Sequence, residues 1–236
     1  MKNICLASTS TVHGKAYLSY LLDEMKKLFS NVSEVVFVPY AQPGGMTHDA
    51  YTAKAQEGFN ALAIKVRGVH EFENPIDAIQ KAEAIFVGGG NTFLLLKTLY
   101  ENNLLDAIKD VVHKGTPYLG TSAGSNIAGP NVRNTNDMPI VYPPSFDSMG
   151  LIPFNINPHY LDPIEGSKHM GETRETRIKE FHAHPENQLA VLGIREGSFI
   201  RIKGDEIYLG GPLTARLFKP HDSPVELDSG SDLSNL

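Results

Sequence analysis

Along the first half of the chain, apolar and polar positions follow two alternating rhythms: short runs of strand type and longer stretches at helical spacing. Residues 3–7 read as a buried strand, and 15–29 follow with Ala16, Leu18, Leu21, Leu22, Met25, Leu28 and Phe29 on one helical face. A second strand is predicted over 34–39, a helix over 47–62 after a Pro-Gly-Gly loop, and a weaker strand over 63–69. Asn74 before Pro75 supplies an N-cap and a first-turn proline, so a helix through Ala82 is predicted. Residues 84–87 read as a strand running into Gly88-Gly89-Gly90-Asn91, and helical stretches at 93–99 and 104–113 precede a strand at 116–119. Strands alternating with helices in this way predict an α/β fold with a flavodoxin-like, doubly wound, mainly parallel sheet.

The rhythm changes after residue 122. Residues 130–157 are rich in Pro, Asn and Asp with no sustained helical period, which predicts long loops and short strands above the sheet. A charged helix is expected over 172–182, a buried strand over 189–194, and a late β-hairpin pairing 198–202 with 206–209 across Gly204-Asp205. Residues 1–220 are therefore read as a single α/β domain, and 221–236 as a polar, acidic and poorly ordered tail.

Composition narrows the function. A net charge of −6 with no basic cluster offers little attraction to phosphate backbones, so no nucleic-acid partner is expected. No apolar stretch of about 18 residues is present to span a membrane, and the apolar run among the first ten residues is too short for a signal peptide. The single cysteine, Cys5, falls in a core strand and forms no internal disulfide. A cytoplasmic protein is expected, a monomer or homodimer.

Candidate chemistry centres on Gly120-Thr121-Ser122-Ala123-Gly124, which follows a short apolar run and opens a potential helix. That context suits a nucleophile elbow, with Ser122 exposed on a strand-to-helix turn and the Ala123 amide aimed at a developing oxyanion. A serine hydroxyl attacks only if a base takes its proton. His159, after Pro158, is a candidate base, and Asp137 and Glu196 are candidate partners for its other ring nitrogen. Gly88, Gly89 and Gly90 follow a strand and precede a helix, without the lysine of a phosphate loop, which fits a second source of oxyanion donors. His182-Ala183-His184 lacks a third ligand and the spacing of a metal site, so neither metal nor cofactor is expected.

Five segments taken together are more specific than any one of them: 87–93 (Val-Gly-Gly-Gly-Asn-Thr-Phe), 120–126 (Gly-Thr-Ser-Ala-Gly-Ser-Asn), 135–140 (Thr-Asn-Asp-Met-Pro-Ile), 156–159 (Ile-Asn-Pro-His) and 171–175 (Gly-Glu-Thr-Arg-Glu). In content and order they closely resemble peptidase E, the α-aspartyl dipeptidase family, over about 215 residues. The resemblance implies a fold related to class I glutamine amidotransferases and a serine exopeptidase that cleaves dipeptides beginning with aspartate, with small dipeptides as its partners. Carried onto this chain, it makes Ser122 the nucleophile and His159 the general base, and offers both Asp137 and Glu196 as the third member, with the lean toward Asp137. Arg174 matches the residue expected to bind the substrate aspartate, since a planar guanidinium pairs a carboxylate at two points. The alternatives are a cyanophycinase-like or esterase-like hydrolase on the same scaffold, and a non-catalytic binder of small acidic metabolites. Thr121 and Ser125 are small departures from the familiar pattern.

Overall fold

A computed structural model of the chain describes residues 1–163, 166, 168 and 170–236. Its strands are β1 (Asn3–Ala7), β2 (Glu34–Val38), β3 (Lys65–Gly68), β4 (Ile85–Val87), β5 (Tyr118–Thr121), β6 (Asn155–Asn157), β7 (Val191–Ile194), β8 (Phe199–Lys203), β9 (Glu206–Gly210), β10 (Ala215–Phe218) and β11 (Val225–Leu227). Its helices are α1 (Leu22–Leu28), α2 (His48–Phe59), α3 (Pro75–Gln80), α4 (Thr92–Glu101), α5 (Leu104–Lys114), α6 (Ala123–Asn126) and α7 (Arg174–Ala183).

A seven-stranded sheet runs in the order β3-β2-β4-β5-β1-β8-β9. The first five are parallel, and the predicted hairpin, β8 and β9, extends the sheet antiparallel from β1. Among themselves β2 to β5 keep the flavodoxin-like order, and the first strand of the chain fills the fifth place. Alternation along β1 divides the core: Ile4 and Leu6 pack with residues of α4 and α5, while Cys5 and Ala7 pack with residues of α1 and α2. The antiparallel extension is held by a buried pair, Arg201 Nε donating to Glu24 Oε1 at 2.7 Å.

The predicted helix over 15–29 is shorter in the structure. Leu18 takes a left-handed φ of 57°, so only a 3₁₀ turn, Ser19–Leu21, and α1 follow. Leu18 keeps its place in the core, and its N–H donates to Ser10 O at 2.8 Å instead of a helical carbonyl.

A second sheet, β11-β10-β7-β6, stands beside the first. It corrects the reading of 221–236 as a loose tail. Val225–Leu227 pairs antiparallel with β10, Leu233 is fully buried, and its N–H donates to Ile207 O at 2.8 Å. Few apolar residues suffice here, because β10 presents an open edge that three residues can cover and the core leaves room for one leucine.

Candidate active site

β5 ends at Thr121 and α6 begins at Ala123, so the chain turns within Ser122, whose φ of 51° and ψ of −108° lie outside the regions favoured by L-residues. Such a backbone costs about 1–3 kcal/mol and persists only when its surroundings enforce it. They do so by close approach. A Cβ on Gly124 would stand 2.2 Å from Val87 O, and one on Gly120 2.5 Å from Gly124 O, so neither position admits a side chain. Ser122 N–H donates to Ala7 O at 3.0 Å, and the Ser125 hydroxyl lies within 2.8 Å of both Ala7 O and Gly120 O. Ser125 thus fastens the turn to β1 and β5.

The other two groups come from the second sheet. β6 and β7 are parallel neighbours with Asn157 opposite Gly193, so both strands end on the same side. His159 lies two residues past the end of β6 and Glu196 two past the end of β7, and this register brings their side chains together. His159 Nδ1 stands 2.6 Å from Glu196 Oε1, and Nε2 stands 2.9 Å from Ser122 Oγ. The imidazole is held from its backbone as well. His159 has a left-handed φ of 54°, and its N–H donates at 2.9 Å to Ser8 Oγ, whose own proton goes to Ile194 O at 2.8 Å. Ser8, just beyond β1, therefore joins the first sheet to the end of β7 and to His159.

The structure separates the two candidate carboxylates. Asp137 is not the partner of His159. Its Oδ2 accepts the N–H of Thr92 at 2.7 Å, at the start of α4, where the helix dipole favours a negative charge. Asn91 caps the same helix through Leu94 N–H and donates to Met138 O at 2.8 Å, so the 137–138 segment is tied to the glycine-rich loop. Side-chain amides of Asn134, Asn136 and Asn157 stitch the preceding segment to β6 and Pro158. Asp137 still lines the same cleft as Ser122 and His159.

Of the three loop glycines, Gly88 is unavailable as an oxyanion donor, because its N–H already donates to Val38 O at 3.3 Å. Neither Gly89, Gly90 nor Ala123 donates its N–H to a backbone carbonyl among the described residues. Gln42 Nε2 and the Tyr51 hydroxyl both donate to Gly89 O, at 2.9 and 3.0 Å, and pin that peptide. In a planar trans peptide the orientation of Gly90 N–H is then fixed as well. Gly90 has a φ of 140°, and a Cβ there would meet Ala41 O at 2.2 Å.

These groups border a cleft of about 370 Å³ above the carboxyl ends of the parallel strands, where open α/β sheets bind ligands. Its wall includes Thr9, Ser10, Tyr17, Gln42, Tyr51 and Lys54. A larger hollow of about 440 Å³ lies elsewhere, against β2 and α3, and contains none of the candidate site residues. Arg174 is the first residue of α7, half-buried and without an ion-pair partner among the described residues. Burial and the charge of Arg177 pull its guanidinium below its ordinary pKa, while the Asp137 carboxylate acts in the opposite sense. His182 Nε2 lies 2.9 Å from Leu189 O, and no group of three metal-ligating side chains occurs among the described residues. Burial pushes the Cys5 thiol up to about 12, so this cysteine is an inert core group.

Ser8, Gln42, Tyr51 and Lys54 were not singled out by the sequence. Tyr51 and Lys54 belong to a helix that was predicted, but the sequence carries no sign that this helix borders the end of β5.

The profile of Peptidase family S51 matches residues 4–210. The chain is 50% identical over 234 residues to Peptidase E of Streptomyces coelicolor, covering 99% of this chain and 94% of that protein. It is 46% identical to a probable alpha-aspartyl dipeptidase of Drosophila melanogaster, covering 100% and 97%. A crystal structure of a peptidase from an acI-B1 Actinobacterium, only 16% identical, superposes with a TM-score of 0.74 over 99% of this chain and 96% of that one, which bears on the fold alone. The matched profile and the near-complete coverage of these relatives place the chain in peptidase family S51.

Proposed function

We propose that this chain is a serine exopeptidase that hydrolyses dipeptides with an N-terminal aspartate, Asp-Xaa, through an acyl-enzyme. The observation that carries the reading is the unbroken sequence Ser122 Oγ, His159 Nε2, His159 Nδ1, Glu196 Oε1, with contacts of 2.9 and 2.6 Å. His159 takes the hydroxyl proton of Ser122 as Oγ attacks the peptide carbonyl, and Glu196 holds the imidazole in the tautomer that exposes Nε2 as a base. The negative oxygen of the tetrahedral intermediate is received by the N–H groups of Ala123, Gly89 and Gly90. His159 then gives its proton to the leaving amine. Water hydrolyses the aspartyl ester by the same steps, restoring the Ser122 hydroxyl.

Selectivity for aspartate is assigned to a pair of opposite charges. The N-terminal aspartate of a dipeptide carries an ammonium and a carboxylate a few bonds apart. Asp137 supplies a carboxylate in the cleft, with Oδ1 unpartnered among the described residues, and Arg174 supplies a guanidinium close enough to feel its charge. Asp137 takes the ammonium and Arg174 the carboxylate, an arrangement matched to a free N-terminus. The names of the relatives, peptidase E and α-aspartyl dipeptidase, point the same way. A lone buried cysteine fits a reducing cytoplasm.

Turnover of Asp-Leu, Glu-Leu and Ala-Leu by the native chain and two variants tests this. Ser122→Ala is expected to lower kcat by roughly 10⁴- to 10⁶-fold. Arg174→Ala is expected to remove about 30- to 3,000-fold of kcat/KM for Asp-Leu, the range for leaving a substrate charge unpaired, with little change for Ala-Leu. Equal turnover of all three dipeptides by the native chain would instead favour a hydrolase of another specificity on this scaffold.

A further inference from the structure

Helix α7, which carries Arg174 in its first turn, stands apart from the main core: none of its residues belongs to either of the two large apolar clusters. Its seat is one face of the second sheet. Side chains two apart on a strand share a face, so Arg216 and Phe218 on β10 lie beside Gly193 and Val191 on β7, their register partners. Gly193 leaves that face bare for the ring of Tyr160, the residue after His159; a Cβ there would stand 2.6 Å from Tyr160 Cδ2. Ile178 and Phe181 of α7 pack with Tyr160, Val191 and Phe218 in a small cluster of their own. Both apolar anchors lie beyond the first turn, so they do not hold the part of the helix that bears Arg174.

Charge holds that first turn instead. Glu175, directly after Arg174, has a side chain only 18% exposed, with Oε1 2.6 Å from Lys179 Nζ and Oε2 3.2 Å from Arg216 Nε. The lysine lies four residues along the same helix and stiffens it, and the Thr173 hydroxyl caps the turn from within by accepting Thr176 N–H. Among the described residues, the Glu175–Arg216 pair is the side-chain contact that ties the first turn to another element. Arg216 Nη1 reaches Glu226 Oε2 at 3.4 Å, Glu226 pairs with Arg195, and Arg195 with Asp162. Charges of alternating sign thus run from the helix that bears Arg174 to Arg195, the residue before Glu196. Neither Glu175 nor Arg216 borders the cleft. We propose that the Glu175–Arg216 pair positions Arg174 for the substrate carboxylate, so that selectivity for aspartate depends on two side chains that do not touch substrate. This rests on the assignment of Arg174 as the aspartate reader and deepens it. A first turn released from the sheet spreads the guanidinium over several placements, and two-point pairing with a carboxylate tolerates little of that. Ser122, His159 and Glu196 are held by strand ends and not by α7, so the chemical step is spared.

The test measures kcat and KM for Asp-Leu in Glu175→Gln, Arg216→Met and Arg216→Lys, and in Glu175→Gln combined with Arg174→Ala. Glu175→Gln and Arg216→Met should each raise KM about 10- to 100-fold with kcat within about threefold of native, the cost of moving a substrate-binding group by about 1 Å. Arg216→Lys, which keeps the charge, should recover most of the loss. Labelling of Ser122 by a fluorophosphonate should run at the native rate in all of them, as in a folded chain with its triad intact. In the Arg174→Ala chain, Glu175→Gln should add nothing, because the residue it positions is gone. A native KM in Glu175→Gln, a loss shared equally by kcat and by labelling, or a loss that multiplies with that of Arg174→Ala would overturn the proposal and leave the serine mechanism standing. An Arg174→Ala chain with a native KM for Asp-Leu would instead remove the aspartate reader itself, and the proposal with it.

Discussion

Ser8 shows how much a single hydroxyl can organise. Buried and placed just past β1, it accepts the His159 N–H and donates to Ile194 O, so one oxygen fixes both the residue that carries the base and the strand that leads to Glu196. Alanine at this position would leave the His159 N–H without its acceptor, at up to about 1–3 kcal/mol before relaxation, while Ile194 O would keep the Tyr160 N–H. It would also loosen a histidine that holds a left-handed φ. Ser8→Ala is accordingly expected to lower kcat about 10- to 100-fold with KM little changed, the cost of a displacement near 1 Å at a reacting group. A KM change with kcat intact, in the same steady-state measurement, would place Ser8 in substrate binding and not in positioning His159. At this scale the sequence was most legible where backbone chemistry is demanding. Gly120 and Gly124 announce their turn because no side chain fits at either position. Ser8 and Gln42 gave no such sign, since their value comes entirely from what the fold brings beside them.

At the scale of elements, the site depends on two strand ends in register. β6 and β7 deliver His159 and Glu196 side by side, and the turn after β7 is braced by Arg195, which pairs with Asp162 through Nε and Nη2 at 2.9 and 2.7 Å and with Glu226 on β11 through Nη1. The segment once expected to be a loose tail therefore helps hold the turn that bears Glu196. Hydrogen bonding from Arg195 holds the Asp162 carboxyl below its ordinary value of 3.8. Burial works against ionisation of Glu226, but Arg195, Thr214 and Arg216 outweigh it and keep that carboxyl below 4.5. Both folded values are depressed, so the unfolded chain binds more protons through this range. Stability from the brace is then complete above the ordinary carboxylate values and is lost as pH falls through the lower folded ones. Asp162 is about half exposed, its side chain at 54%, so solvent screening keeps the contribution modest. Replacing Arg195 with Met should lower the urea midpoint at about pH 7 and shrink its decline toward about pH 3. An acid limb as steep as that of the native chain would show that these pairs do not carry it.

For the molecule as a whole, the doubly wound sheet was readable because its strands and helices alternate with clear periods, and the hairpin because Gly204-Asp205 sits between two alternating runs. The second sheet was not. All four of its strands have only three or four residues, too short for a period of two to stand out. That is also why Asp137 and Glu196 could not be told apart beforehand: the choice is made by the parallel pairing of β6 with β7, which no spacing along the chain reveals. The proposed nucleophile comes from the first sheet, the proposed base and its partner from the second, and the proposed active site lies where the two meet. The most direct measurement of that account is kcat for Asp-Leu in Glu196→Gln and Asp137→Asn. Glu196→Gln should lower kcat about 10²- to 10⁴-fold, as the loss of an imidazole-orienting carboxylate does, while Asp137→Asn should act chiefly by raising KM. A full kcat in Glu196→Gln together with a collapse of kcat in Asp137→Asn would contradict it.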